Sequence, residues 1–190
     1  DALAGVVNII TKRPANGFNG TVMVQGVTKG PLETRIEGGW GSDSLEISGF
    51  IDYKNQPQFS LPLDSISIPY AGFQDGTLHG KLQWKFAKGW TTRASLRFFG
   101  SETRGSFIES VAGQIAQNTG SVQQWDASGT VGAEYQSGRA RLTMNAYGSS
   151  YNERYNFDSS QGAAGSIDDL LRRIGRLYAQ YDVQLGAANR

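Results

Sequence analysis

The charged residues of this chain fall at alternate positions, opposite apolar ones, so those of a single strand share one face. The set is Glu46, Lys85, Arg93, Arg97, Glu134, Arg141, Arg176 and Asp182. An array of that kind either lines a path for a polar solute or forms a ladder of mutually neutralising pairs. The mixed signs favour the ladder, and cross-strand reach is expected between Arg93 and Glu134 and between Glu134 and Arg141. Three acids, Asp158, Asp168 and Asp169, bracket a Ser-, Gly- and Ala-containing stretch. Clustered loop carboxylates are a weak calcium candidate, but no fixed ligand spacing links these three, so solvated acids are the better reading and no metal is expected. Phe59, Tyr70, Phe73, Phe107, Tyr151, Tyr155 and Phe157 lie in or beside long polar stretches. Aromatic rings on exposed loops suit capture of a small-molecule ligand, and packing of the loops on themselves accounts for them equally well.

Catalytic chemistry finds little to work with. The chain has no Cys and one His, which removes disulfides, thiolate sites and most triads. The lone His79 sits near Lys81 and Lys85, a poor setting for a metal. There is no G-x-S-x-G and no phosphate-binding Gly-rich loop. No enzymatic activity and no cofactor are expected. A net charge of +1 gives no electrostatic footprint for nucleic acid.

The elements that must position these residues are strands. Leu45, Ile47, Ile51 and Tyr53 alternate with Glu46, Ser48 and Asp52, and the same period-two pattern recurs from Leu78, Trp90, Ala127, Ala140 and Leu177. Earlier runs near Thr21–Val27 and Leu32–Trp40 follow it too. About eight strands result, several near the ~9–11 residues a tilted membrane-crossing strand needs. Short Gly-bearing connections at Gly41–Ser44, Lys88–Gly89 and Ser137–Gly138, and again from Gly186 onward, alternate with long polar stretches near 55–75, 103–122 and 154–171 that read as long loops, extracellular in a membrane barrel. The helix-like run Ile167–Ile174 reads as loop leading into a strand.

Composition helps decide which face is wet. Glycine is abundant, with 25 of 190 residues, and the apolar positions mix Gly80, Ala94, Gly129, Ala133 and Ala146 with large side chains. That mixture fills a protein core poorly but costs little against fluid acyl chains. Trp40, Trp84, Phe86, Trp90 and Tyr135 cluster near the short turns, as an interfacial aromatic girdle does. The expectation is all-β: an antiparallel transmembrane barrel, or an open portion of one, with apolar side chains on lipid and charges lining the lumen. A complete small eight-stranded barrel with a structural or adhesion role is one competitor. A soluble all-β binding module is another.

The opening residues carry a resemblance. Asp1–Pro14 reads DALAGVVNIITKRP, and the run Gly5, Val6, Val7, Asn8, Ile9, Ile10, Thr11 resembles the segment that closes the plug domain of TonB-dependent outer-membrane receptors. Gly39-Trp40-Gly41-Ser42, followed by a strand, is similar to the first barrel hairpin of the cobalamin and siderophore receptors of that family. The resemblance implies an internal fragment: residues 1–14 end the plug, 15–19 are a linker, and 20–190 begin a barrel of about 22 strands. It also implies a monomeric barrel in the outer membrane of a Gram-negative bacterium. Such a barrel takes up a scarce, bulky ligand (ferric siderophore, haem or cobalamin) with energy delivered by the TonB complex through an absent N-terminal part.

Overall fold

In the computed structural model, residues 16–28, 30–63, 66–70, 72–111, 114–159 and 166–183 are described. The plug-like run Gly5–Thr11 and the connection from Gly186 onward lie outside them. Ten strands follow in order: β1 (Gly17–Gly26), β2 (Leu32–Gly41), β3 (Leu45–Gln56), β4 (Phe59–Leu63), β5 (Ile66–Tyr70), β6 (Gly72–Ala87), β7 (Trp90–Val111), β8 (Gln114–Ser137), β9 (Ala140–Ser159) and β10 (Ser166–Val183). Eight form one sheet in the order β1-β2-β3-β6-β7-β8-β9-β10, and β4 pairs only with β5. Every neighbouring pair is antiparallel, so the sheet is a meander with one excursion between β3 and β6. The sheet is not closed into a barrel: β1 and β10 are its two edges.

Tight turns sit together at one end. The β6–β7 turn is Lys88–Gly89, where Gly89 adopts φ +81°. A Cβ there would also collide with the Gln136 carbonyl oxygen, because the neighbouring hairpin donates the Gln136 N–H to the Gly89 oxygen at 2.8 Å. Only glycine satisfies both demands. The β8–β9 turn, Gly138–Arg139, also begins on a positive-φ glycine.

At the other end the strands run further than alternation alone suggests. The stretch near 103–122 read as a loop is ladder, with Thr103–Val111 pairing Gln114–Val122. Likewise the ladder carries Arg154–Phe157 against Ser166–Asp169, so Ile167–Ile174 is strand throughout. The third stretch, near 55–75, contains the β4–β5 hairpin. Strands wet on both faces lose the apolar/polar alternation, and a hydropathy pattern then resembles that of a loop.

Among the described residues the only element outside this layer is the β4–β5 hairpin, so the sheet has no second layer of its own size to bury against. Among the described residues no large side chain is fully buried, while Phe18 is 82% exposed, Leu177 89% and Trp125 64%. Soluble monomers rarely expose contiguous apolar surface beyond a few hundred Å².

Candidate functional site: a charged wall backed by an apolar band

Because paired residues share a face, the register sorts the sheet into rows. One face carries all eight of the charges singled out from the sequence. Along it a chain of hydrogen bonds crosses five neighbouring strands. Gln83 on β6 donates to Glu46 on β3 at 3.5 Å and accepts from Arg93 Nε on β7 at 2.9 Å. Arg93 Nη1 reaches Glu134 Oε2 on β8 at 2.8 Å, and Arg141 Nη2 on β9 reaches the same oxygen at 3.0 Å. Glu134 is thus brought together with both arginines. Asp182 on β10 lies in register with Arg141 and accepts from Gln180 Nε2 at 2.7 Å. Lys85 points to the turn instead and donates to the Asp43 carbonyl oxygen at 3.1 Å.

Further along the same face, Arg97 meets Asp126 at 3.4 Å and stands 5.4 Å from the Phe99 ring centroid. Arg35 lies over Phe50 at 4.4 Å, and Phe50 contacts His79 at 5.2 Å between ring centroids. Arg176 shares a row with Ser48, Lys81, Ser95, Thr130 and Tyr147. Near the long hairpins, Ser101 donates to Asp75 at 2.6 Å, and Glu153, the one buried charged residue among those described, accepts from Gln124 at 2.7 Å and from the Tyr151 hydroxyl. Acids and bases meet on this wall at Arg93–Glu134–Arg141 and Arg97–Asp126, while the Arg176 row carries no acid. The wall offers a neutralised, hydrogen-bonding surface rather than a field of one sign.

The opposite face is an apolar band. One row runs Phe18, Trp40, Ile47, Leu82, Ala94, Val131, Ala146, Leu177 across all eight strands. The next row is Gly20, Gly38, Gly49, Gly80, Leu96, Gly129, Gly148, Gly175: glycine on every strand but β7. Leu96 leans over Gly129, whose Cβ would lie 2.9 Å from Leu96 Cδ2. At the tight-turn end the rings of Trp84, Phe86, Trp90 and Tyr135 form a continuous chain, with centroids 5.3, 6.0 and 4.8 Å apart. Trp40 is on the same face but outside that chain. Five rows from Trp90, the row Tyr53, Gly76, Gly100, Trp125 makes a second aromatic tier. Beyond it comes a polar row, Asn55, Gln74, Glu102, Gln123, Arg154, Asp169.

The ion pairs of that polar row are local. Arg104 reaches Glu102 at 2.8 Å and Gln123 donates to Glu102 at 3.2 Å; the Arg104 hydrogen bond, then that of Gln123, holds the Glu102 carboxyl below the usual glutamate range. Arg154 grips Asp169 through Nε at 2.8 Å and Nη2 at 3.3 Å, which lowers the Asp169 pKa and raises that of Arg154.

Of the aromatic residues assigned to loops, Phe73 and Tyr155 join one row with Thr103, Val122 and Asp168 on the charged face, and Tyr151 lies further along that face. The side chains of Phe59, Tyr70, Phe107, Phe157 and Asp158 lie outside the described residues. Asp168 and Asp169 are adjacent on β10 and therefore point to opposite faces, with Asp169 engaged by Arg154, so the weak calcium cluster is not assembled by these two. Among the described residues no group of three His, Cys, Asp or Glu side chains could hold a metal.

Sequence reasoning missed the second aromatic tier. By alternation Tyr53 is a strand residue only, and Trp125 stands just outside the run from Ala127. The signal was available: extending the alternation by one step puts Trp125 on the face of Ala127 and Val131. No protein-family model, curated protein or solved structure matches the chain.

Proposed function

We propose that this chain is a portion of a transmembrane β-barrel, with the apolar band on lipid and the charged wall toward the lumen. The observation that carries the reading is the height of the band. From the Trp90 row to the Gly100 row is ten residues, about 33 Å along a strand at ~3.3 Å per residue. Strands inclined ~40° reduce that to about 25 Å normal to the membrane, the height of a lipid-facing band between aromatic girdles. The band also crosses the rows obliquely. On β3 it reaches Tyr53, whereas on β10 it is already broken at Arg173, one row lower. Inclined strands produce that offset. No helix among the described residues is long and apolar enough to cross a membrane, which says nothing of a barrel.

Within that class, the reading is a segment of a TonB-dependent receptor that takes up a bulky, scarce ligand such as a ferric siderophore, haem or cobalamin across an outer membrane. It rests on the resemblance of Gly5–Thr11 to the close of a plug. In this reading the neutralised wall around Glu134 supports polar contacts with a plug, and the long hairpins beyond the polar row present ligand contacts. The first test is physical. The chain partitions into detergent or vesicles and resists alkaline extraction; a soluble monomer in plain buffer overturns the membrane reading. The second is functional: the gene's full product restores ligand uptake to a receptor-deficient strain only when TonB is present. Uptake without TonB, or no uptake of any of the three ligand classes, removes the receptor assignment.

A further inference from the structure

The one excursion from the meander, β4–β5, keeps the register of the strands it leaves. Gln56 pairs with Phe73 at the end of the β3–β6 ladder, and Phe59 pairs with Tyr70, three positions further on along one strand and three back along the other. Nothing is inserted or deleted between the two ladders. Within the hairpin Phe59 pairs with Tyr70, Leu61 with Ile68 and Leu63 with Ile66, while Ser60, Pro62, Ser67 and Pro69 fill the positions between. Alternation therefore gives the hairpin one face of six apolar positions and one of serines and prolines. Counted along the strands, the six continue the positions of Ile51, Tyr53, Gly76 and Leu78 on the apolar band.

The break between the two ladders has a direction. Gly72 shares its face with Gly76 and Gly80. The space a Cβ of Gly72 would take holds the Gln58 nitrogen at 2.8 Å and the Gln56 oxygen at 2.9 Å, so residues 56–58 cross over β6 on the apolar side. Gln58 then reaches past β6 and donates from Nε2 to the Arg104 carbonyl oxygen on β7 at 3.0 Å. β4 thus starts outside the plane of the main sheet, on the side of the apolar band and beyond the polar row of Asn55 and Gln74.

We propose that β4–β5 is an interfacial anchor whose apolar face lies on the bilayer surface beside the sheet. The inference rests on the lipid-facing reading of the band. With the band on lipid, the rim where β4 leaves the sheet overhangs the lipid headgroups, and the lumen is behind it. The other covers for six apolar positions fit less well. The adjoining extension of β7 carries Arg104, Ser106, Ile108 and Ser110 at the positions on that side, one apolar residue in four. A strand from another chain would meet Pro62 on β4 and Pro69 on β5, which have no N–H to donate along the outer edges. Lipid needs neither a matching side-chain surface nor a row of donors, and an amphipathic segment gains by laying its apolar face into it. Phe59 and Tyr70 then serve the membrane rather than ligand capture.

The chain has no Cys, so single cysteines carry a nitroxide label without background. The test places Leu61→Cys, Ile68→Cys, Ser60→Cys and Ser67→Cys variants of the full chain in phosphatidylcholine vesicles. Each label is relaxed by oxygen, which partitions into lipid, and by a water-soluble nickel chelate. We expect oxygen to dominate at the Leu61 and Ile68 positions and nickel at the Ser60 and Ser67 positions, in step with strand alternation. Absence of that alternation overturns the proposal. Nickel dominance at all four places the hairpin in water. Protection of the Leu61 and Ile68 positions from both agents assigns the face to protein: to a second copy if spin–spin broadening disappears on dilution with unlabelled chain, and to packing within the chain if there is none. Leu177→Cys, at a position 89% exposed on the band, separates the underlying reading. Oxygen dominance there with nickel dominance at Leu61 removes the anchor and leaves the membrane reading standing. Nickel dominance at Leu177 removes the membrane reading, and the anchor with it.

Discussion

Glu134 holds one oxygen between two guanidinium groups from different strands, and this makes it the residue on the charged wall with most to lose. Glu134→Gln removes the charge that keeps Arg93 and Arg141 together and leaves two cations facing each other. Both arginines are about half exposed, so solvent screens the pair and the cost should be modest, about 1 kcal/mol by equilibrium unfolding in detergent. A double-mutant cycle with Arg93→Gln should return a coupling of about 0.5–1 kcal/mol; additivity within error would remove Glu134 as the node of the network. The Arg154–Asp169 pair gives a titration instead. Asp169 is depressed by its hydrogen bonds from Arg154, so the pair's contribution is present above the ordinary aspartate range and fades as pH falls through the lowered folded pKa. Carbon-detected NMR should place the Asp169 midpoint below that of a model aspartate, and Arg154→Gln should raise it. At this scale much was legible. The Glu134–Arg141 juxtaposition follows from alternation plus the short Gly138–Arg139 turn, which fixes the register of the β8–β9 hairpin. What alternation could not supply was Gln83, because an uncharged amide bridging Glu46 and Arg93 has no signature in a charge pattern.

Strands were legible where one face was apolar and illegible where both were polar. Leu45–Tyr53 and Leu78–Phe86 announce themselves by period, while Thr103–Val111 and Gln114–Val122 pair without it. The difference is one of surroundings: a ladder standing clear of the apolar band is held by backbone hydrogen bonds and cross-strand pairs, and neither leaves a hydrophobic stripe in the sequence. The tight turns are where single elements are most sensitive. Gly89→Ala forces a side chain into φ +81° and against the Gln136 carbonyl, so it should destabilise by about 1–3 kcal/mol. Gly138→Ala meets no neighbour within 4 Å and carries only the cost of a positive φ, so its effect should be smaller. Thermal unfolding of the two variants side by side checks the order; a Gly138 variant as damaged as the Gly89 variant would show that the close approach to the next hairpin does not matter.

For the whole molecule, the governing fact is that, among the described residues, the eight strands of the main sheet form a single layer. A band of fixed height makes a depth-dependent prediction. Leu96 sits in the middle row and Trp125 in the edge tier. Leu96→Arg should cost about 2–4 kcal/mol in a bilayer, and Trp125→Arg only about 0–1 kcal/mol beyond lost packing. Reversible unfolding from vesicles measures both; equal penalties would contradict a membrane centred on Leu96. The unpaired edges β1 and β10 have unequal lengths, 10 and 18 residues, so they do not match each other as partners along their full extent. The glycine row has a consequence of a different kind. At Gly80, Gly148 and Gly175 no atom lies within 4 Å of where a Cβ would stand, so the ladder hydrogen bonds and the covering medium, not side chains, control access of solvent to these amides. In water those amides would exchange with deuterium on the time scale of local opening; under hydrocarbon they would be among the most protected in the chain. Exchange at Gly80, Gly148 and Gly175, followed while detergent is diluted or lipid is added, thus turns a line of missing side chains into a gauge of what covers the sheet.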